Sequence, residues 1–296
     1  MSTESTAVAL ERVAVVGAGQ MGAGIAQVAA RAGLQVTLSD QAEAQAVQAK
    51  SKLEARLRRQ QSDGKVPQSV VDETLSRLQT GGPLAGVDSA DLVIEAAPEG
   101  LELKVALFHS FSERAQPAAI LASNTSSLSI TRLARETTRP ELVVGMHFMN
   151  PVPVMKLVEV VRGTLTSEAT LAAILALSAR LGKTSIVSND RPGFLVNRIL
   201  IPLLNEACFA LEEGVGSMQD IDTGARLGLG HPLGPLELAD LIGLDTVLSI
   251  AEILHRDFGD PKYRPCARLR NLVQAGLLGK KSGRGFYTYD QDGKKI

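Results

Sequence analysis

The sequence predicts an α/β protein in two parts: a mostly parallel sheet flanked by helices over residues 1–190, then an all-helical region over 191–296. Three observations carry this. Short β-branched runs alternate with longer helical patterns as far as residue 190. A turn cluster, Asn189-Asp190-Arg191-Pro192-Gly193, ends that texture. Beyond it, residues 194–278 place apolar side chains at helical spacing and contain no convincing strand. A chain of 296 residues is long enough for two domains of ordinary size.

Taken in order, the strand-like runs are 12–16, 35–39, 92–95, 120–123, 142–146, 156–161 and 184–187. Helices are expected between them at 22–32, 42–61, 67–78, 101–115 and 167–181. In the second part, 194–213 is apolar around much of a helix and stops at Gly214 and Gly216. Ser217 is placed to cap the next helix, with Asp220 in its first turn. Segments 236–241 and 246–258 are further helical pieces. The tail, 280–296, is basic and Gly-rich, and its Phe286-Tyr287 pair is expected to pack back.

Composition removes several classes of function. Lys plus Arg is 31 and Asp plus Glu is 32, a net charge of −1, so neither nucleic acid nor an anionic membrane is an expected partner. A hydrophobic fraction of 45% with 21% charged residues excludes disorder. Aromatics are 3% and Trp is absent, so Ala, Val, Leu and Ile must build the core. Cys208 and Cys266 form no C-x-x-C pair; a disulfide between them is open, and free thiols in a reducing compartment are the favoured reading. Residues 1–10 carry an acid, Glu4, and no basic region, unlike a signal peptide. The uncharged stretch 13–30 is broken by Gly17, Gly19, Gly22 and Gly24, which argues against a membrane span. A cytoplasmic location is expected.

The first strand, ending in Val13-Ala14-Val15-Val16, runs into Gly17-Ala18-Gly19-Gln20-Met21-Gly22 and then a helix. This is G-x-G-x-x-G in the context it requires. Gly17 allows a tight turn, Gly19 leaves room for a pyrophosphate against the backbone, and Gly22 lets helix and strand approach. The helix N-terminus offers free N–H groups to phosphate. The second strand ends at Asp40, eighteen residues past Gly22. A carboxylate there accepts hydrogen bonds from ribose hydroxyls and repels a 2′-phosphate; no Arg stands at 41 or 42 to receive one. The expected cofactor is NAD rather than NADP.

Of the four histidines, His109 reads as a surface or core-packing residue, His255 as solvated and His231 as part of a Gly-rich turn. His147 differs because it ends a strand, at the edge where an α/β sheet presents its ligand crevice. After it come Pro151 and Pro153, then a strand that carries Glu159 among Leu157, Val158, Val160 and Val161. A carboxylate in an apolar strand is costly unless paired. If the chain doubles back, Glu159 lies beside His147. Spacing alone leaves two readings open: a general base with its orienting carboxylate, or a structural ion pair or outward-facing Glu.

With these residues in view, five motifs resemble the 3-hydroxyacyl-CoA dehydrogenases, most closely the stand-alone bacterial 3-hydroxybutyryl-CoA type. They are the glycine loop through Gln27, Ser123-Asn124-Thr125-Ser126-Ser127-Leu128, His147-Phe148-Met149-Asn150-Pro151, Pro192-Gly193-Phe194-Leu195-Val196-Asn197-Arg198 and Gly234-Pro235-Leu236-Glu237-Leu238-Ala239-Asp240. The resemblance spans residues 11–290 and includes the closing Gly-Lys-Lys-Ser-Gly-Arg-Gly-Phe-Tyr. It implies a Rossmann-type NAD-binding domain and a helical domain for dimerisation and substrate. It also implies reversible oxidation of the (S)-3-hydroxyl of an acyl-CoA thioester such as 3-hydroxybutyryl-CoA. By position, His147 is the base, Glu159 orients it, and Ser126 and Asn197 flank the reacting oxygen. Cofactor contacts carried over are Gly17, Gly19, Gln20, Met21, Gly22, Asp40, Glu99, Lys104, Ser126, Asn150 and Lys281. Lys50 and Arg56, with Ser126, are the expected CoA contacts. Two departures stand out: Met149 replaces a commoner Phe, and the basic stretch reads Lys50, Lys52, Arg56, Arg58, Arg59. The second blurs which side chain meets the CoA phosphates.

Three rivals remain at this level. One is a 3-hydroxyadipyl-CoA dehydrogenase of aromatic-acid breakdown. Another is a hydroxyacid dehydrogenase with a lysine base, which Asn197 and the lack of a nearby Lys disfavour. The third is a non-catalytic NAD-binding protein on the same scaffold. Acyl chain length is not written in the motifs.

Overall fold

A computed structural model describes residues 10–296; the expectation about the first ten residues therefore falls almost wholly outside it. The chain divides into two compact units, Met1–Arg191 and Pro192–Ile296.

The first unit is a sheet of eight strands wrapped by helices. Its elements are β1 (Arg12–Val16), α1 (Gln20–Arg31), β2 (Gln35–Ser39), α2 (Glu43–Ser62), α3 (Gln68–Ser76), β3 (Leu78–Gly81), β4 (Leu92–Glu95), α4 (Leu101–Arg114), β5 (Ile120–Ser123), α5 (Ile130–Ala134), β6 (Val143–Phe148), β7 (Leu157–Arg162), α6 (Glu168–Arg180) and β8 (Thr184–Asn189). Strand order is β3-β2-β1-β4-β5-β6-β7-β8. The order reverses between β1 and β4, the place where open α/β sheets bind ligands at their carboxyl edge. All neighbours run parallel except β6 and β7. Val16 pairs with Ser39 and Glu95, and Glu95 with Ser123, so these chain ends finish at one edge. β4, β5 and β6 are buried along their full length, as strands covered on both faces must be. The core is aliphatic: Ile25, Leu34, Leu38, Leu92, Ile94 and Ala122 are almost fully excluded from water.

Several expectations shift. The run 67–78 is not one helix: α3 stops at Ser76, and Leu78 opens the edge strand β3. Only Leu78 and Gly81 of β3 are buried, so it has no apolar pattern to announce it. Strand β6 runs to Phe148, which puts His147 inside the strand rather than after it. The five-residue α5, capped by Ser129, is too short to show a period.

The second unit comprises α7 (Val196–Glu212), α8 (Met218–Gly228), α9 (Pro235–Ile242), α10 (Leu244–Phe258) and α11 (Ala267–Gln274). Ser217 caps α8 by accepting from the Asp220 amide. The unit is not wholly helical: bridges Gly279–Arg284, Arg284–Thr288 and Tyr289–Lys295 fold the tail into a small β-like knot. Buried Asp240 accepts from the amides of Phe286 and Tyr287 at 2.9 and 2.8 Å and from the Tyr289 hydroxyl at 3.0 Å. Buried Asp222 caps α9 through the Leu236 amide and accepts from the Tyr287 hydroxyl, both at 2.9 Å. These two carboxylates are what make the tail pack back. Cys208 and Cys266 are free and buried. Among the described residues no helix is long and apolar enough to cross a membrane.

Candidate active site

The glycine turn leaves β1 with Gly17 at φ +109°, a conformation that a side chain strains. A Cβ there would also lie 2.5 Å from the Ala96 carbonyl oxygen. A Cβ on Gly22 would sit 1.7 Å from the Gly17 carbonyl oxygen, so helix and turn touch only because Gly22 is bare. Gly19 is different. It is the N-cap of α1 in ordinary extended geometry, and nothing lies within 4 Å of where its Cβ would be. The open space beside Gly19, at the head of a twelve-residue helix, is the cradle a pyrophosphate needs. Asp40 braces this turn by accepting from the Ala18 amide at 2.7 Å, and it stays partly exposed at the end of β2. These residues fit the adenosine and pyrophosphate half of NAD. Gln20, in the first turn of α1, donates to Asn150 Oδ1 at 3.0 Å and so ties the segment after His147 to the cradle. Met21 is partly buried beside it.

Strands β6 and β7 are antiparallel, and the register sets His147 opposite Glu159. Cross-strand partners share a face of the sheet, so the two side chains meet. His147 Nδ1 is 3.0 Å from Glu159 Oε2. The carboxylate only accepts, so Nδ1 carries the proton, and the ring's lone pair is on Nε2. Glu159 is fully buried and the His147 side chain is 10% exposed. Two residues before His147, Gly145 makes room for its own cross-strand partner: a Cβ there would stand 2.6 Å from that of Val161. The connection between the strands is pinned from two sides. Lys183 donates to the carbonyls of Val152 and Met155 at 2.6 and 2.7 Å. Gly24 of α1 admits Val152, whose Cβ would be 2.9 Å from an added methyl. Asn124, just past β5, accepts from the Phe148 amide at 3.0 Å.

A second charged group lies at the ends of β4 and β5. Glu95 is fully buried and Lys104 is 1% exposed. Lys104 Nζ reaches Glu95 Oε1 at 2.6 Å, the Ala97 carbonyl at 3.1 Å and Glu99 Oε2 at 3.3 Å. The Ser123 hydroxyl donates to Glu95 Oε2 at 2.5 Å. Burial drives the Glu95 carboxyl above its ordinary value, only partly offset by Lys104 and Ser123. Burial also acts to raise Glu99, but Lys104 and donors from Thr125, Ser126 and Ser127 outweigh it and hold that carboxyl low. Lys104 was expected at the cofactor; its ammonium is committed inside the chain, and what it offers outward passes through Glu99. Glu95 and Asn124 were not singled out from sequence. Glu95 carried the same signal as Glu159, an acid in an apolar strand, here after Leu92-Val93-Ile94.

The remaining expected residues are placed as follows. Asn197 is buried in the first turn of α7, in the second unit. In the same unit Lys281 pairs with Asp245 at 2.6 Å. Lys50 donates to the Leu78 carbonyl at the start of β3, and Arg56 to the Gln27 side chain. Lys50 and Arg56 thus have partners within the first unit, and Lys52, Arg56 and Arg59 lie on the exposed face of α2.

The sheet order, the glycine cradle and the acid at the end of β2 define a dinucleotide-dependent dehydrogenase class. Comparison with known proteins narrows the class. Residues 12–191 match the model of the 3-hydroxyacyl-CoA dehydrogenase NAD-binding domain, and 193–289 match that of the C-terminal domain. The chain is 50% identical over 282 residues to the probable 3-hydroxybutyryl-CoA dehydrogenase of Bacillus subtilis, covering 95% of this chain and 98% of that one. It is 50% identical over 283 residues to the 3-hydroxybutyryl-CoA dehydrogenase of Bradyrhizobium diazoefficiens, covering 96% and 97%. The solved (S)-3-hydroxybutyryl-CoA dehydrogenase of Ralstonia eutropha superposes with a TM-score of 0.92 at 46% identity, over 96% of this chain and all of that one. The chain belongs to the 3-hydroxyacyl-CoA dehydrogenase family and is an NAD-dependent oxidoreductase.

Proposed function

We propose that the protein interconverts (S)-3-hydroxybutyryl-CoA and its 3-oxo thioester, with His147 as general base. The observation that carries this reading is the buried His147–Glu159 pair, 3.0 Å apart across the antiparallel strands β6 and β7. Bound NAD supplies the hydride acceptor. His147 Nε2 takes the hydroxyl proton, and imidazole is the side chain that changes charge near neutral pH. Glu159 fixes the ring through Nδ1 and stabilises the imidazolium as it forms. In the reverse direction the imidazolium returns the proton to the alkoxide. Ser126 and Asn197 donate to the oxygen as charge develops on it. Base catalysis of this kind contributes ~10²–10⁴-fold.

Cofactor contacts in this reading are the glycine cradle with Gln20 and Met21, Asp40, Glu99, Asn150 and Lys281. The first unit, ending near residue 190, carries the cofactor; the second carries dimer and substrate contacts. A homodimer through α7 is supported by Ile199 and Leu203, one turn apart and 66% and 37% exposed. A cytoplasmic location is supported by the two free, buried thiols. The test is kcat/KM across a series of 3-hydroxyacyl-CoA chain lengths that includes the 3-hydroxyadipyl thioester, with free 3-hydroxy acids as controls. A maximum at the four-carbon thioester is the result expected. A maximum at the adipyl thioester replaces the substrate, and turnover of free acids alone removes the CoA assignment.

A further inference from the structure

The loop that carries Ser126 is wound around one carboxylate oxygen. Glu99 Oε1 accepts from Thr125 Oγ1 at 2.5 Å, Ser127 Oγ at 3.0 Å, the Ser126 amide at 3.1 Å and Ser126 Oγ at 3.3 Å. Thr125 Oγ1 in turn accepts from the amides of Ser127 and Leu128 at 3.3 and 2.9 Å. Four donors exceed what one oxygen holds at full strength, and Ser126 Oγ has the longest of these contacts. Glu99 itself follows β4 on a short turn with its side chain 38% exposed, so nothing local fixes it. What fixes it is its other oxygen, on Lys104, and through Lys104 the buried Glu95 and Ser123 at the carboxyl ends of β4 and β5. The anchorage is rigid because an ammonium 1% exposed has no water to turn to and must keep its partners.

We infer that Glu99 is a positioning residue, anchored to the sheet by Lys104 and Glu95, that sets the loop 125–127 and thereby where the Ser126 hydroxyl stands. This rests on the role proposed for Ser126 and deepens it: the serine's placement comes from a carboxylate on a neighbouring connection, not from its own loop. Glu99 competes for the Ser126 hydroxyl through the weakest of its bonds, so that hydroxyl is the one released when a substrate oxygen arrives. Thr125 and Ser127 keep the loop in place meanwhile.

A double-mutant cycle tests this. Glu99→Ala, Glu99→Gln, Ser126→Ala and the double variant Glu99→Ala with Ser126→Ala are compared with wild type for kcat, NADH dissociation constant and melting temperature. Acting through Ser126, Glu99→Ala lowers kcat ~10-fold in the wild-type background but less than ~2-fold once Ser126 is Ala. Glu99→Gln keeps one accepting oxygen for the loop but none for Lys104, so its kcat falls between those of wild type and Glu99→Ala. Independent losses of kcat that multiply in the double variant overturn the inference and leave Glu99 with no role beyond its cofactor contact. A lower melting temperature with unchanged kcat overturns it in favour of a purely structural bond. Wild-type kcat in Ser126→Ala removes the proposed role of Ser126 itself, an outcome visible in the single variant alone.

Discussion

Asp40 holds two jobs on one side chain. Its Oδ2 accepts from the Ala18 amide at 2.7 Å, and its partly exposed end closes β2 where a ribose would lie. Asp40→Ala should therefore weaken NAD roughly 10- to 100-fold, the range for losing charge-assisted hydrogen bonds, and narrow the preference over NADP. Dissociation constants for both cofactors check this, and a wild type that uses NADP at least as well as NAD contradicts it. Glu99 gives a pH dependence with a definite sign. Its carboxyl lies below the ordinary 4.5, so the folded state releases that proton more readily than the unfolded state. The resulting stabilisation is complete above that value and is lost as pH falls through the lowered one. The melting-temperature gap between wild type and Glu99→Gln should be present at pH 7 and close in acid. A gap that widens in acid contradicts the assignment.

The strand–turn–helix β1–α1 separates structural from binding glycines. Gly17→Ala meets both a positive φ and a carbonyl 2.5 Å away, so it should cost more than about 1 kcal/mol of stability and weaken NADH as well. Gly19→Ala has open space around it and should change stability by only a few tenths of a kcal/mol, about what N-cap exchange costs. It should still raise the NADH dissociation constant, because its methyl stands where phosphate must approach. Equal melting-temperature losses in the two variants contradict this division. The elements differ in how visible they were beforehand. β1, β4 and β5 were legible because buried parallel strands are near-continuous apolar runs, and β2 because Val36 and Leu38 alternate with polar residues. β3 was not, since exposed Gln79 and half-exposed Thr80 blur its pattern. The His147–Glu159 pairing was readable as a possibility from one acid in an apolar strand. The register that joins them depends on the pinned connection 151–155, which spacing does not encode. Lys104 matched a cofactor position by motif, and only the structure shows its ammonium facing inward to Glu95.

Across the whole molecule, the expected residues divide between the two units. The first has the cradle, the His147–Glu159 pair and the Ser126 loop; the second has Asn197 and Lys281. The second unit is locked to its own tail by Asp222 and Asp240. It leaves large apolar side chains at its surface, Ile199, Leu227 and Leu229 among them, 66%, 83% and 67% exposed. These side chains are the surface on which the proposed dimer rests. Light scattering at micromolar concentration should give a dimer, and Ile199→Glu should move the mass toward monomer. A monomeric wild type contradicts the α7 interface.

The central claim is that the His147–Glu159 pair moves a proton rather than merely holding two strands together. Measuring kcat, NADH dissociation constant and melting temperature on folded His147→Gln decides it. The account predicts an NADH dissociation constant near wild type, since the cradle and Asp40 lie on β1 and β2, and a kcat lower by ~10² or more. A folded variant with a lowered melting temperature and near-normal kcat would make the pair a structural ion pair and remove the catalytic assignment.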